Sequence, residues 1–287
     1  MSLDAALRHL EALQAACQSD PGLWNLVRAE QDWSLYGDAC DPLSPAAPER
    51  LLKAFQRELY LEVWTPPLRE IDAAATVLIA GGGTGRFADA LGDRGWRIEL
   101  IDASPEAVRR ARTHLGDRAS ARVGDLTDPA TLEVAKYDAV LAVEVPCYAS
   151  NPAILMQALR RALRPGGMLL FSVEARPGAL FADRDLGSPE AVHAVLGGGV
   201  VTLPGMKHVH YYTRDEARGL AEAAGFTVRA VDGVCYVPDG PFGALVDAAR
   251  LGDREYADAL RDLERRCRVD PLVNELPRAW AVAAVAA

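Results

Sequence analysis

The chain has 287 residues, 31 Lys and Arg against 40 Asp and Glu, and a formal net charge of −9. That length holds one large domain or one domain with substantial additions, at about 150 residues per domain, and it buries a full core without staples, which excludes a disulfide mini-protein or a disordered tail. The acidic balance argues against a nucleic-acid groove, because phosphate binding needs concentrated Lys and Arg.

Cys17, Cys40, Cys147, Cys235 and Cys267 are far apart and include no C-x-x-C pair, so neither a disulfide framework nor a zinc cluster is expected. Asp4, Arg8 and Glu11 interrupt the first apolar stretch, which therefore lacks a signal-peptide core. Trp280 to Ala287 is too short to span a bilayer, which takes about 20 residues. These features point to a soluble, cytoplasmic protein.

Residues 1–70 read as helical, with Leu3, Leu7, Leu10 and Leu13 at helix spacing. Asp20-Pro21 looks like a helix start. The glycine and prolines of 37–48 read as a loop, and Pro48 opens a helix carrying Leu51, Leu52, Phe55, Leu59 and Val63. Thr65-Pro66-Pro67 should stop it. Trp24, Trp33, Tyr60 and Trp64 read mostly as helix packing.

From residue 76 short apolar runs alternate with helical patterns. Strands are expected at Thr76–Ala80, Trp96–Ile101, Ala121–Val123, Tyr137–Val143 and Met168–Val173. Helices start near Arg86, Ser104 and Asn151. This alternation predicts βαβ units and a parallel sheet covered on both faces. Arg164-Pro165-Gly166-Gly167 should close the helix before the fifth strand. Residues 176–212 read as irregular. A capping box at Thr213–Glu216 opens a helix ending near Gly225, Phe226–Val231 is a sixth strand, 241–267 looks helical, and Ala279–Val285 is a last strand.

The first strand runs into Gly81-Gly82-Gly83-Thr84-Gly85-Arg86. Glycines there let backbone approach a ligand, and the following helix N-terminus offers free N–H groups. Asp102 ends the second strand, where a carboxylate accepts from ribose hydroxyls. This pair alone does not separate a nicotinamide dinucleotide from S-adenosylmethionine. Val123-Gly124-Asp125-Leu126 after the third strand, Tyr137-Asp138-Ala139-Val140 opening the fourth, and Leu163-Arg164-Pro165-Gly166-Gly167 opening the fifth complete an ordered set.

This set resembles the class I S-adenosylmethionine-dependent methyltransferases of small-molecule type over residues 72–235, with the last strand at 279–285. The resemblance implies an α/β, Rossmann-like, doubly wound seven-stranded and mostly parallel sheet whose last strand runs antiparallel between the fifth and sixth. It implies an N-terminal helical lid at 1–70 and a catalytic domain at 71–287 with insertions at 176–212 and 235–278. Carried over, Gly81, Gly83 and Gly85 line the methionine end of the cofactor, Asp102 with Ala103 holds the ribose, and Asp125 with Leu126 holds the adenine. Glu144 and Val145 match a Glu-Val at the end of the fourth strand, and Tyr148 stands where a histidine is frequent. The chain departs from the pattern at Ile79, where many members carry an acid that helps hold the methionine ammonium. Tyr36 and Asp38 are candidates to replace it.

Tyr148, His210 and Glu144 are the candidate catalytic residues, Glu144 and Tyr36 are also candidates for cofactor binding, and Cys147, Arg176, His208 and Tyr211 are the candidate acceptor-binding ones. His208-x-His210 lacks a third ligand at sensible spacing, so no metal is expected. One histidine either faces the pocket as a base or both are solvated strand residues. Tyr211 and Tyr212 alternate faces, so at most one points inward. Arg176 binds either a substrate carboxylate or a surface acid. The function expected is methyl transfer to a small molecule, on oxygen or nitrogen, in secondary metabolism, by a monomer or homodimer that binds neither nucleic acid nor membrane. The alternatives are a nicotinamide oxidoreductase, an aminopropyltransferase, or a silent cofactor-binding scaffold.

Overall fold

The computed structural model describes residues 3–182, 186–203 and 207–287. The side chains of 3–7, 9, 10, 32–35 and 182 lie outside the described residues, and with them the packing expected of Leu3, Leu7, Leu10 and Trp33. The elements run α1 (Leu3–Ser19), α2 (Leu23–Tyr36), α3 (Arg50–Val63), α4 (Thr65–Arg69), β1 (Thr76–Ala80), α5 (Arg86–Leu91), β2 (Arg97–Asp102), α6 (Pro105–Leu115), β3 (Ala119–Val123) and β4 (Tyr137–Ala142). They continue α7 (Pro152–Ala162), β5 (Leu163–Glu174), α8 (Arg176–Ala182), α9 (Pro189–Gly198), β6 (Val200–Leu203), β7 (Lys207–His210), α10 (Arg214–Glu222), β8 (Phe226–Val234), α11 (Arg254–Val269) and β9 (Ala279–Ala286).

Seven strands form one sheet in the order β3-β2-β1-β4-β5-β9-β8. β1 to β5 are parallel, and β9 is antiparallel to both β5 and β8. Alternation along β1 sends Val77 and Ile79 to one face, against Phe55, Leu59, Phe87, Leu91 and Leu115 of α3, α5 and α6. Leu78 and Ala80 face the other way, among Leu155, Leu159 and Ala217 of α7 and α10. A sheet apolar on both faces is what near-continuous hydrophobic strands produce. Because the strand order reverses between β1 and β4, their carboxyl ends open a crevice there.

Local readings shift in four places. Thr65-Pro66-Pro67 does not only end α3: the prolines occupy the first turn of α4, where a missing N–H costs nothing. β5 begins at Leu163 rather than Met168, and absorbs Pro165 and the glycines through a register shift against β4. Residues 176–212 are not irregular, because α8, α9 and the β6–β7 hairpin enclose a small core of Ala179, Val195, Val201, Val209 and Tyr211. Within 241–267 the long helix starts at Arg254, where the Asp253 side chain accepts from the Glu255 and Tyr256 N–H groups.

The N-terminal helices reach the carboxyl edge of the sheet. Asn25 of α2 donates to the carbonyls of Tyr148 at 3.0 Å and His208 at 2.7 Å, and accepts from the His208 N–H at 3.0 Å. Beyond α2, buried Asp41 pairs with His114 at 2.7 Å and Arg110 at 3.4 Å, and Asp38 pairs with Arg110 at 2.7 Å, which ties this segment to α6.

Candidate active site

Two cavities adjoin at the carboxyl edge and share Glu49 and Arg278 as common wall. The first encloses about 630 Å³ and is lined by Ile79, Gly81, Gly83, Lys53, Arg86 and Glu144, among others. Gly81 has φ +61° and Gly83 has φ +54°. A Cβ at Gly81 would collide with Val145, whereas at Gly83 it would enter open space. The turn is therefore glycine for two reasons: left-handed backbone at both positions, and close packing at the first. Gly85, with φ +99°, faces Leu115 rather than the cavity.

Asp102 accepts from the Gly83 N–H at 2.8 Å and from the Ser104 N–H at 2.9 Å. Burial pushes its carboxyl above the ordinary aspartate value, against the pull of those bonds. Its two oxygens retain lone pairs for further donors, since a carboxylate offers about four sites. Ala103 is exposed beside it. Asp125 is exposed and its Oδ1 accepts from the Thr127 N–H at 2.8 Å and hydroxyl at 2.7 Å, while Leu126 is buried. Tyr36 ends α2 and is 60% exposed, and neither it nor Asp38 lines either of these two cavities.

The second cavity encloses about 950 Å³ and is lined by Asn25, Tyr148, Glu174, Lys207, Tyr211 and Asp239, with Leu52, Val209 and Val246 among its apolar residues. It is built by α2, α3, the β6–β7 insertion and the loop after β8. Lys207 donates to the Tyr211 hydroxyl at 3.0 Å.

A polar chain crosses the shared wall. The Tyr60 hydroxyl donates to Glu144 Oε1 at 2.6 Å. Arg278 Nη2 lies 3.9 Å from Glu144 Oε2, and its Nη1 pairs with Glu174 Oε2. Glu174 Oε1 accepts from the Tyr148 hydroxyl at 2.6 Å. Burial alone would raise the Glu144 carboxyl, but Arg278, the Tyr60 hydroxyl, Arg86 and Lys53 hold it below the ordinary value. Burial and the Glu174 charge hold the Tyr148 phenol well above its ordinary value, so it stays protonated.

The other predicted residues fall outside both linings. Cys147 is fully buried, and burial raises its thiol well above the ordinary value. Arg176 is engaged by Glu216 at 2.7 and 2.8 Å. His208 and His210 project from the same face of β7, with their Nε2 atoms 3.0 Å apart, and Thr202 holds His208 Nδ1 at 2.7 Å. Burial, then His208, lowers His210 to about 4. Of the two adjacent tyrosines, Tyr211 is the inward one.

Sequence reasoning missed Arg278, Tyr60, Lys53 and Arg86. A signal existed for Arg278. It directly precedes an antiparallel strand, so it stands at the carboxyl ends of the parallel ones, with Ala279 opposite Glu174.

The methyltransferase domain family matches residues 47–231. A ubiquinone biosynthesis O-methyltransferase of Xylella fastidiosa (strain 9a5c) is 30% identical over 190 residues, covering 63% of this chain and 70% of that protein. Its counterpart in Xanthomonas axonopodis pv. citri (strain 306) is 29% identical over 174 residues, 58% of this chain and 68% of that protein. Among solved structures, an S-adenosylmethionine-dependent methyltransferase of Mesorhizobium loti superposes with TM-score 0.53 at 20% identity, over 77% of this chain and 97% of that one. A Pyrococcus horikoshii OT3 protein does so with TM-score 0.55 at 15% identity, over 89% and 98%. These two likenesses speak to the fold alone. Among the described residues no helix is long and apolar enough to cross a membrane, and no cluster of metal-ligating side chains is present.

Proposed function

The chain belongs to the methyltransferase domain family, as a class I S-adenosylmethionine-dependent member, and on that premise we propose that it methylates an oxygen of a small-molecule acceptor held in the second cavity. The observation that carries this reading is the polar wall of Tyr60, Glu144, Arg278, Glu174 and Tyr148 between two adjoining cavities. The first cavity suits the cofactor through open space at Gly83 for close approach, and Asp102, outside that lining but bonded to the Gly83 N–H, keeps acceptor capacity for two hydroxyls. When bound, S-adenosylmethionine supplies a methyl group activated on a positively charged sulfur.

The chain's own residues have two tasks. The first is alignment: α2, α3 and the β6–β7 hairpin enclose the acceptor and act as the lid, and orientation alone supplies on the order of 7–11 kcal/mol in well-arranged cases. The second is the acceptor's proton. The Tyr148 hydroxyl already donates to Glu174, so its oxygen lone pair is open to an acceptor hydroxyl. As the acceptor oxygen gains its bond to carbon, its proton passes to Tyr148 Oη while the Tyr148 proton passes to Glu174 Oε1. Two relatives named as O-methyltransferases support oxygen as the acceptor atom.

The test is turnover with a panel of phenols, carboxylic acids and amines. Methylated phenols are expected, and Tyr148→Phe should lower kcat about 100-fold, within the usual range for a lost proton-transfer group, with affinity for S-adenosylhomocysteine unchanged. Transfer to amines alone, or equal loss of cofactor affinity in Tyr148→Phe, overturns the reading.

A further inference from the structure

We propose that Arg86 and Glu144 form a clamp for the zwitterionic end of the cofactor, Arg86 pairing with its α-carboxylate and Glu144 with its α-ammonium. This rests on the reading that the first cavity takes S-adenosylmethionine. An amino-acid end sealed inside a protein needs one anion and one cation of its own, because an unpaired buried charge is costly. The cavity lining offers both. Arg86 opens α5, and Glu144 follows β4.

Glu144 is built for the task. Its backbone is held at φ +58°, a region costly for a side-chain-bearing residue and frequent at functional sites. The Ser172 hydroxyl accepts from its N–H at 2.9 Å and fixes that turn. Tyr60 occupies Oε1, while among the described residues Oε2 has only Arg278 at 3.9 Å, beyond hydrogen-bond length. One oxygen thus keeps its capacity for a donor from the cavity. The rival acid, Glu49, has a side chain 67% exposed and sits 3.7 Å from Lys53. Ile79, which lines the same cavity, contributes no charge.

Arg86 is the matching cation. Its Nη1 donates to the Lys53 carbonyl at 3.3 Å and its guanidinium lies 5.1 Å from the Phe87 ring. Among the described residues no carboxylate pairs with it. In a chain of net charge −9, an arginine that lines a cavity with no carboxylate in ion-pair distance among the described residues has capacity for a ligand's carboxylate. The clamp therefore selects adenosyl thioethers that carry a free amino acid.

Calorimetric titration of the full chain with three ligands tests this: S-adenosylhomocysteine, its deaminated analogue, and 5′-methylthioadenosine, which lacks the amino-acid end. The wild type should prefer S-adenosylhomocysteine to the deaminated analogue by about 30-fold or more, as for loss of a buried charge pair. Glu144→Gln should shrink that preference to about threefold, and Arg86→Gln should weaken S-adenosylhomocysteine by about tenfold or more. Both variants should bind 5′-methylthioadenosine as the wild type does, which a merely structural effect would not allow. An unchanged preference in Glu144→Gln, or unchanged affinity in Arg86→Gln, overturns the clamp. Should Glu144→Gln not fold, a wild-type preference below about threefold overturns it equally. Failure of the wild type to bind any of the three ligands would instead overturn the cofactor reading beneath it.

Discussion

Replacing Arg278 by Met should expose how much the shared wall depends on one guanidinium. Arg278 lies between two carboxylates, with side chains 24% exposed for Arg278, 26% for Glu144 and 7% for Glu174. At the 3.9 Å separation from Glu144 the attraction is about 4 kcal/mol for an effective dielectric of about 20. Part of that is offset by desolvation, but removing one partner leaves the others uncompensated, which costs about 3–5 kcal/mol in buried pairs. Native domains hold only about 5–15 kcal/mol, so the variant should fold yet unfold at distinctly lower urea. The pH dependence carries the sign. In the wild type the Glu144 carboxyl sits below its ordinary 4.5, so its contribution is present above that value and is lost as pH falls through the lowered one. Without Arg278 the largest pull on that carboxyl is gone, so it rises against burial and the folded state loses less when the group is protonated. The loss should therefore be largest at pH 8 and shrink toward pH 5. Urea unfolding at both pH values measures it. A loss below about 1 kcal/mol, or one independent of pH, would refute the account of a buried charge holding two acids together.

Gly81→Ala should cost more than Gly83→Ala. Both incur left-handed strain of about 1–2 kcal/mol, but only the first collides with Val145, so its Tm should fall further and its S-adenosylhomocysteine affinity should fall with it. Asp41→Asn should remove the charge from hydrogen bonds worth about 1.5–3 kcal/mol together, and hydrogen exchange should speed up over residues 37–49; unchanged exchange would show that Asp41 does not anchor this segment. His210, lowered to about 4 in the fold, stays neutral at pH 7, so stability should fall as pH drops from about 6.5 toward that value. His210→Gln should flatten that slope in urea titrations.

The sheet was legible because its signals are local. β1 and β4 are apolar runs bounded by turns, the glycine turn follows β1 directly, and Asp102 ends β2. The β6–β7 hairpin was not legible, because its four-residue strands carry no periodicity beyond chance and Gly197 to Gly199 read as a loop. Gly199 is the left-handed residue that ends α9. The site divides in the same way. Glu144 could be read from its place after a strand, whereas its partners could not. Tyr60 comes from an earlier helix, and Arg278 reaches Glu174 across 104 positions of sequence. Charge complementarity of that kind exists only after folding. Arg176 failed to reach a cavity for the converse reason. Its place after β5 was read correctly, but Glu216 from the capping box of α10 lies close enough to take its guanidinium.

The position of β9 has a consequence for how the molecule is made. It fills the gap between β5 and β8, both synthesised earlier, so β5 keeps an unpaired apolar edge and β8 has no strand to join until residues 279–286 leave the ribosome. Open edges of this kind are where nascent chains associate wrongly. Arg278 emerges immediately before that strand, so the wall of both cavities is completed at the same moment as the sheet. No ligand that needs that wall can stabilise the chain during synthesis. The stretch of translation from β8 to β9 is therefore the interval in which the inner edge of β5 stays without its strand partner.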